Sequence, residues 1–135
     1  MSHFIYELVK VTEGGTAGYR LKDSDPANYG NIGVNAIDFS QSSGISVVNG
    51  ATGARSMAWG QDVVASGSGS VAWGANTVSS HYYSTAWGVG CQATQSYATA
   101  WGKNTTASGV YSTAWGFNTS ATQSYSTAWG HSTVA

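Results

Sequence analysis

Tryptophan returns every fourteen residues, at Trp59, Trp73, Trp87, Trp101, Trp115 and Trp129. No other feature restricts the fold as much, because a fixed short period marks a chain built from stacked, equivalent units. Each Trp lies between an alanine and a glycine. With Trp as position 1, position 5 reads Val63, Thr77, Cys91, Thr105, Thr119, Thr133 and position 7 is always Ala or Ser. Position 11 is Gly69 and then Tyr83, Tyr97, Tyr111 and Tyr125; position 12 is Ser or Ala and position 13 Val or Thr. The frame does not slip from residue 59 to residue 135. A weaker copy, "ATGARSMAWG", aligns without a gap on "ASGSGSVAWG". It starts the register near Ile45 and divides the chain into a non-repeating segment, 1–44, and a repeat region, 45–135.

Fourteen residues are too few for a pair of packed helices, whose repeats run to roughly 33–47. The unit is also rich in Thr, Ser, Tyr, Trp and Gly, which suit strands and turns better than helices. The run S-T-A-W-G therefore predicts a strand. Side chains alternate along a strand, so positions 12, 14 and 2 (Ser, Ala, Gly) share one face and positions 13 and 1 (Thr, Trp) the other. Positions 5 and 7 form a second short alternating stretch, bounded by turns at positions 2–4 and 8–9. Two short strands and two turns per unit, stacked coil on coil, make an all-β parallel β-roll or solenoid. Each rung adds about 4.8 Å, so six rungs span roughly 28 Å. Equivalent residues then lie above one another as ladders.

Coils this short enclose a thin interior. Six indoles could bury roughly 150–250 Å² each, and left in water they would exceed the apolar patch that a soluble monomer usually shows. The Trp ladder is thus expected either in the core of the roll or at a subunit contact, with the Tyr ladder as the other candidate contact. Self-association follows from the pattern.

Only 8% of residues are charged. All six acids and four of the five basic residues lie within residues 1–62, leaving Lys103 as the only formal charge beyond. A basic footprint for nucleic acid is missing. No apolar run is long enough to span a membrane, and no charged n-region with an apolar run marks a secretory signal. In the first 44 residues "FIYELVKV", "AGYRLK" and "NAIDFS" read as strands, with "EGGTAG" and "DSDPANYGNIG" as turns. This segment is expected to cap the open end of the roll, to attach it to a larger assembly, or both.

Repeats such as "SVAWGANTVSS" and "STAWGKNTTASG" resemble the head repeat of YadA-type trimeric adhesins, Ser-Val-Ala-Ile-Gly-x-x-Ser-x-Ala, with Trp in place of Ile. The leader "GYRLKDSDPANYGNIGVNAIDFSQSSG" resembles those that precede the same repeat in bacteriophage fibre and tail proteins. What the resemblance implies is a left-handed parallel β-roll, three chains wound into a homotrimer, and an adhesive or structural role. The partners it implies are other copies of the chain, further virion proteins through residues 1–44, and a host surface glycan or protein.

Candidate chemistry is sparse. Asp23, Asp25 and Asn28 in "DSDPANYG" hint at calcium but lack the glycine and distant Glu of an EF-hand loop, so a turn closed by Asx hydrogen bonds is expected. His3, His81 and His131 have no ligand spacing. Asp62 stands alone where a glycosidase needs two carboxylates, and the repeat serines have no partner base. The sequons at Asn104 and Asn118 are by-products of the repeat, and Cys91 fills a Thr/Val slot. No catalytic, cofactor or metal site is expected. The leading expectation is a fibre segment of a bacteriophage virion, a rigid trimeric rod that spaces or presents receptor-binding surface. The chain opens on Met without a secretory signal, which favours a virion over a bacterial surface adhesin. The alternatives are that adhesin, a carbohydrate-binding roll in which Tyr83, Tyr97, Tyr111 and Tyr125 stack on sugars, and, ranked last, an ice-binding solenoid using Thr rows at positions 5 and 13.

Overall fold

A computed structural model describes residues 7–135; the predicted strand "FIYELVKV" begins outside them. The chain is an all-β parallel solenoid with fourteen-residue coils. Six long strands (Met57–Gln61, Val71–Ala75, Thr85–Val89, Thr99–Lys103, Thr113–Phe117, Thr127–His131) each carry one Trp. Between them lie two-residue strands beginning at Gly50–Ala51 and ending at Ser120–Ala121. The long strands join a nine-stranded sheet and the short ones a six-stranded sheet. Pairing is parallel and in register, with Trp59 opposite Trp73, Trp87 opposite Trp101 and Trp115 opposite Trp129.

Alternation along the long strand decides what is inside. Ala58, Ala72, Ala86, Ala100 and Ala114 are fully buried, as are the position-7 alanines facing them from the short strands. Ser70, Ser84 and Ser112 at position 12 and Val63, Thr77, Cys91, Thr105 and Thr119 at position 5 complete a thin interior of small side chains. The position-12 serine has a second use: Ser56, Ser84, Ser112 and Ser126 each donate from Oγ to the carbonyl of the residue three earlier, at 2.6–2.8 Å, closing the turn.

Position 2 must be glycine for two reasons. Its φ lies between +103° and +121° in all six coils. A Cβ on Gly60, Gly74, Gly88, Gly102 or Gly116 would also fall against the carbonyl oxygen of the glycine one coil on, well inside contact distance. The chain has no room there for a side chain and no backbone region that tolerates one.

The N-terminal segment forms a hairpin, β1 (Leu8–Glu13) antiparallel to β2 (Thr16–Leu21), turning at Gly14–Gly15. Strand β2 lies parallel to β3 (Ile37–Gln41), which pairs with the first Trp strand, so the hairpin covers the end of the long sheet. In place of the small core stands a buried ion cluster. Arg20 donates from Nε to Asp38 at 3.1 Å, from Nη1 to both oxygens of Glu13 at 2.8 and 3.0 Å, and from Nη2 to the Gly30 carbonyl at 3.0 Å. Its guanidinium lies 4.5 Å from the centre of the Tyr29 ring. Asp38 also accepts from Ser40 N and Oγ, and Glu13 from Ile32 N, so the buried charges are satisfied. Asp25 accepts from Ala27 N at 3.0 Å, which makes "DSDPANYG" an Asx-capped 3₁₀ turn over Pro26–Asn28.

The register before Trp59 differs from gapless counting. Phe39, not Ile45, occupies the Trp column, pairing with Trp59 twenty residues on where each later rung is fourteen on, so this coil is six residues longer (20 − 14). Counting is correct back to Gly50 and Ala51, which pair with Val64 and Ala65. The extra residues bulge out between Ser42 and Asn49, where nothing in the composition distinguishes them from turn residues.

Two predictions follow from the interior. The hydroxyls of Thr77, Thr105 and Thr119 are buried without a hydrogen-bond partner, while Val63 fills the same slot in the first Trp coil. Replacing any one by Val removes an orphaned polar group and should stabilise the fold by about 1 kcal/mol, read as a higher midpoint in denaturant unfolding. Conversely, Gly88→Ala forces a Cβ into the next coil at a positive φ. A loss of several kcal/mol is expected, seen as a collapse of the unfolding midpoint.

Candidate functional site

Two aromatic ladders run along the outside of the roll, and the backbone puts each there for a different reason. Trp follows the buried position-14 Ala, so strand alternation turns it outward. Trp59, Trp73, Trp87, Trp101 and Trp129 are all exposed, from 36% for Trp101 to 62% for Trp129, and Trp115 is half-buried. Of the two places the sequence left open for this ladder, the core of a single roll is filled by Ala, Ser and Thr instead. From Trp73 to Trp129 the rings follow one another at centroid spacings of 5.1–5.5 Å. Phe39 adds a further rung, 5.3 Å from Trp59. Beside the stripe the side-chain-free glycines of position 2 leave a shallow apolar trough, lined by Trp59, Gly60, Trp73, Gly74 and Gly88.

The Tyr ladder stands at a corner. Residues at positions 9 to 12 form a turn closed by bonds such as Ser84 N to His81 O (3.2 Å) and Ser112 N to Gly109 O (3.1 Å). Position 11 has positive φ, +69° at Gly69 and +51° to +63° at Tyr83, Tyr97, Tyr111 and Tyr125. Glycine is the relaxed occupant, and each Tyr bears a cost of roughly 1–2 kcal/mol for the left-handed region. The rings stack at 4.8–5.8 Å with interplanar angles of 4–15°, which returns roughly 0.5–1.5 kcal/mol per pair. Stacking this close occupies the ring faces. A sugar approaching the corner meets ring edges and hydroxyls. The sequence does not announce this strain, since a Tyr column at a strand start looks like ordinary β propensity.

A third stripe, position 3, ends in Lys103, Phe117 and His131, with Lys103 Nζ 5.7 Å from the Phe117 ring and His131 stacked on it at 5.1 Å. Cys91 lies in the interior and contacts the Gly102 carbonyl at 3.3 Å through Sγ. Asn104 and Asn118 are exposed at turn positions with φ near +54°. Among the described residues no group of three His, Cys, Asp or Glu side chains is placed to hold a metal ion.

The six-residue bulge is the remaining distinctive surface. Its stem is tied down: Ser43 N donates to Asp62 Oδ1 at 2.7 Å, Asn49 Nδ2 reaches Ser42 Oγ at 2.9 Å, and Ser46 Oγ accepts from Val48 and Asn49. Its tip is apolar and in water, with Ile45 87% and Val47 82% exposed. A scan against protein-family models finds no match to this chain, and a search of curated proteins finds none either.

The carboxyl of Asp62 is displaced from its ordinary titration by the bulge. The Ser43 backbone N–H, then the Ser43 hydroxyl, hold its carboxyl below the ordinary aspartate value. A depressed carboxyl contributes stability above the unfolded value near pH 4 and loses it as pH falls through the folded value. Exchange protection of the Ser43 amide should therefore fall as pH drops below about 4 in the native chain. Asp62→Asn keeps a residue suited to the positive φ of that position (+52°), lowers the protection, and removes its dependence on pH across that window.

Proposed function

We propose that the chain is a self-associating rod segment of a surface fibre, of the kind that bacteriophage virions use to hold receptor-binding surface away from the particle. The observation that carries this reading is an exposed column of Trp, stacked ring on ring from Trp73 to Trp129, on the outside of a roll whose interior is already full. At roughly 150–250 Å² per indole, the exposed fractions leave on the order of 400–600 Å² of indole surface in water. That alone reaches the largest patches found on monomers and a large part of the roughly 800 Å² each partner buries in a standard interface. The likeness of the repeat to trimeric adhesin heads supports three copies about one axis, wound left-handed, with the Trp faces inward. A bacterial surface adhesin uses the same architecture and is the alternative location.

The uncharged repeat supports a spacer role as well. Only Lys103 breaks the neutrality of the roll beyond residue 62, so the rod offers few groups for acid–base chemistry and none paired across a cleft. The exposed Tyr corner favours a second reading as the glycan-contacting edge of the rod, through ring edges and hydroxyls.

Light scattering at micromolar concentration tests the first reading. A mass three times that of the 13.9 kDa chain is expected, and Trp87→Ser with Trp101→Ser should shift it toward the monomer. A monomeric native chain would sink the proposal. For the Tyr corner, glycan binding that persists after Tyr83, Tyr97, Tyr111 and Tyr125 are all changed to alanine would remove the ladder as the contact.

A further inference from the structure

A perfect ladder cannot fix the height at which copies meet. Two rods that present the same Trp every rung lose only one rung of contact when they slip by one coil, so periodic faces alone permit a family of staggered assemblies. An ordered bundle needs a non-periodic feature at a fixed height. The chain has one knob and one hollow that answer this need, and both lie on the same coil.

The knob is the bulge tip, Ile45, Val47 and Val48, all exposed. It is held stiffly. Besides the bonds of its stem, Ser46 N donates to Ala27 O at 3.1 Å and Gly30 N to Asn49 O at 3.0 Å, stacking it on the 3₁₀ turn of the coil before. Ile45 and Val47, almost wholly in water on a rigid support, are pre-organised for a partner and gain little from their own chain. The hollow, about 510 Å³, is lined by Leu21, Phe39, Gln41, Trp59, Gly60 and Gln61, where the Trp column runs into the cap. It is predominantly apolar, and Ile45 of the same chain does not fill it, being almost fully exposed.

Resting on the self-association proposed above, we infer that the bulge of one copy seats in the Leu21–Phe39–Trp59 hollow of the next and sets the axial register of the assembly. Cyclic symmetry about an axis parallel to the rods places equivalent residues of all copies at equal height. A knob and a hollow can close a ring only when they share a height, and these do: the bulge leaves the chain after Gln41 and returns at Gly50, within the single coil that runs from Phe39 to Trp59. Each copy gives one knob and receives one, so the contact closes without leftover surfaces. The Ser43–Asp62 bond then serves to aim the knob.

Cross-linking decides it. In a Cys91→Thr background, which keeps an occupant the same column already uses, Ile45→Cys is paired with Leu21→Cys, or with Trp59→Cys should the cap not tolerate the first. The control pairs Ile45→Cys with Trp101→Cys, three rungs or roughly 14 Å further along the rod. Native mass is measured first, and a short bis-maleimide is then added. Expected is a covalent closed oligomer from the 45/21 pair, several-fold above the control. An oligomer whose 45/21 pair links no better than the 45/101 pair, or links only within one chain, overturns the clasp while leaving self-association standing. A monomeric native mass overturns both.

Discussion

Parallel pairing in register between successive coils is the constraint on which everything else here depends. It turns each of the fourteen positions into a column about 4.8 Å per step, so a residue is chosen for its ability to stack on itself. Alanine stacks on alanine in the interior, indole on indole outside, and glycine on glycine where a side chain would meet the next carbonyl. Charge stacks badly, because like charges at this spacing repel along the whole column. That accounts for a repeat region with a single formal charge after residue 62. Where charge does enter a column, it alternates in sign: Arg20 lies directly beside Asp38, and Asp38 beside Ala58, in what is elsewhere the alanine column. The cap thus ends the roll by exchanging a self-stacking residue for a complementary ion pair.

Much of this was legible in the sequence because columns are legible as periods. The coil length, the strand at S-T-A-W-G and the separation of its Ser/Ala face from its Thr/Trp face all follow from counting and alternation. What counting could not supply lies where periodicity stops. Ile45 fits the Trp column by arithmetic, yet Phe39 holds it, since an insertion drawn mainly from Ser, Gly and Val, with Ile45 and Asn49, leaves no trace in a composition already rich in such residues. The network around Arg20 joins Glu13, Gly30 and Asp38 across three separate segments, and no local pattern marks their meeting. The strain at Tyr83, Tyr97, Tyr111 and Tyr125 was hidden for another reason. Gly69 alone reveals that the position wants a positive φ, and four tyrosines in succession mask it.

The two aromatic ladders differ energetically, and the difference separates their roles. Tyr occupies a backbone region it disfavours at four positions, and three stacked pairs return only part of that cost, so the column adds no net stability to a single chain. At this corner the Tyr column presents ring edges and hydroxyls to solvent. Trp sits on relaxed extended backbone and bears no such cost. Its ladder is held in place by the strand, with ample apolar area left unused.

That unused area changes what stability means for this chain. An interior of alanines and small hydroxylated residues buries little apolar surface per coil, so backbone pairing and ring stacking carry a single roll. The largest hydrophobic contribution still available is outside: some 400–600 Å² of indole at about 25 cal/mol per Å² amounts to roughly 10–15 kcal/mol before the cost of association, itself about 4–15 kcal/mol, is subtracted. Under the self-association proposed above, folding and assembly draw on the same surface, and the isolated chain is the weaker form of the protein. A rod assembled in that way gains stiffness from its neighbours, and a feature that fixes their mutual height, as proposed for the bulge at Ile45 to Val48, acts on stability as much as on order.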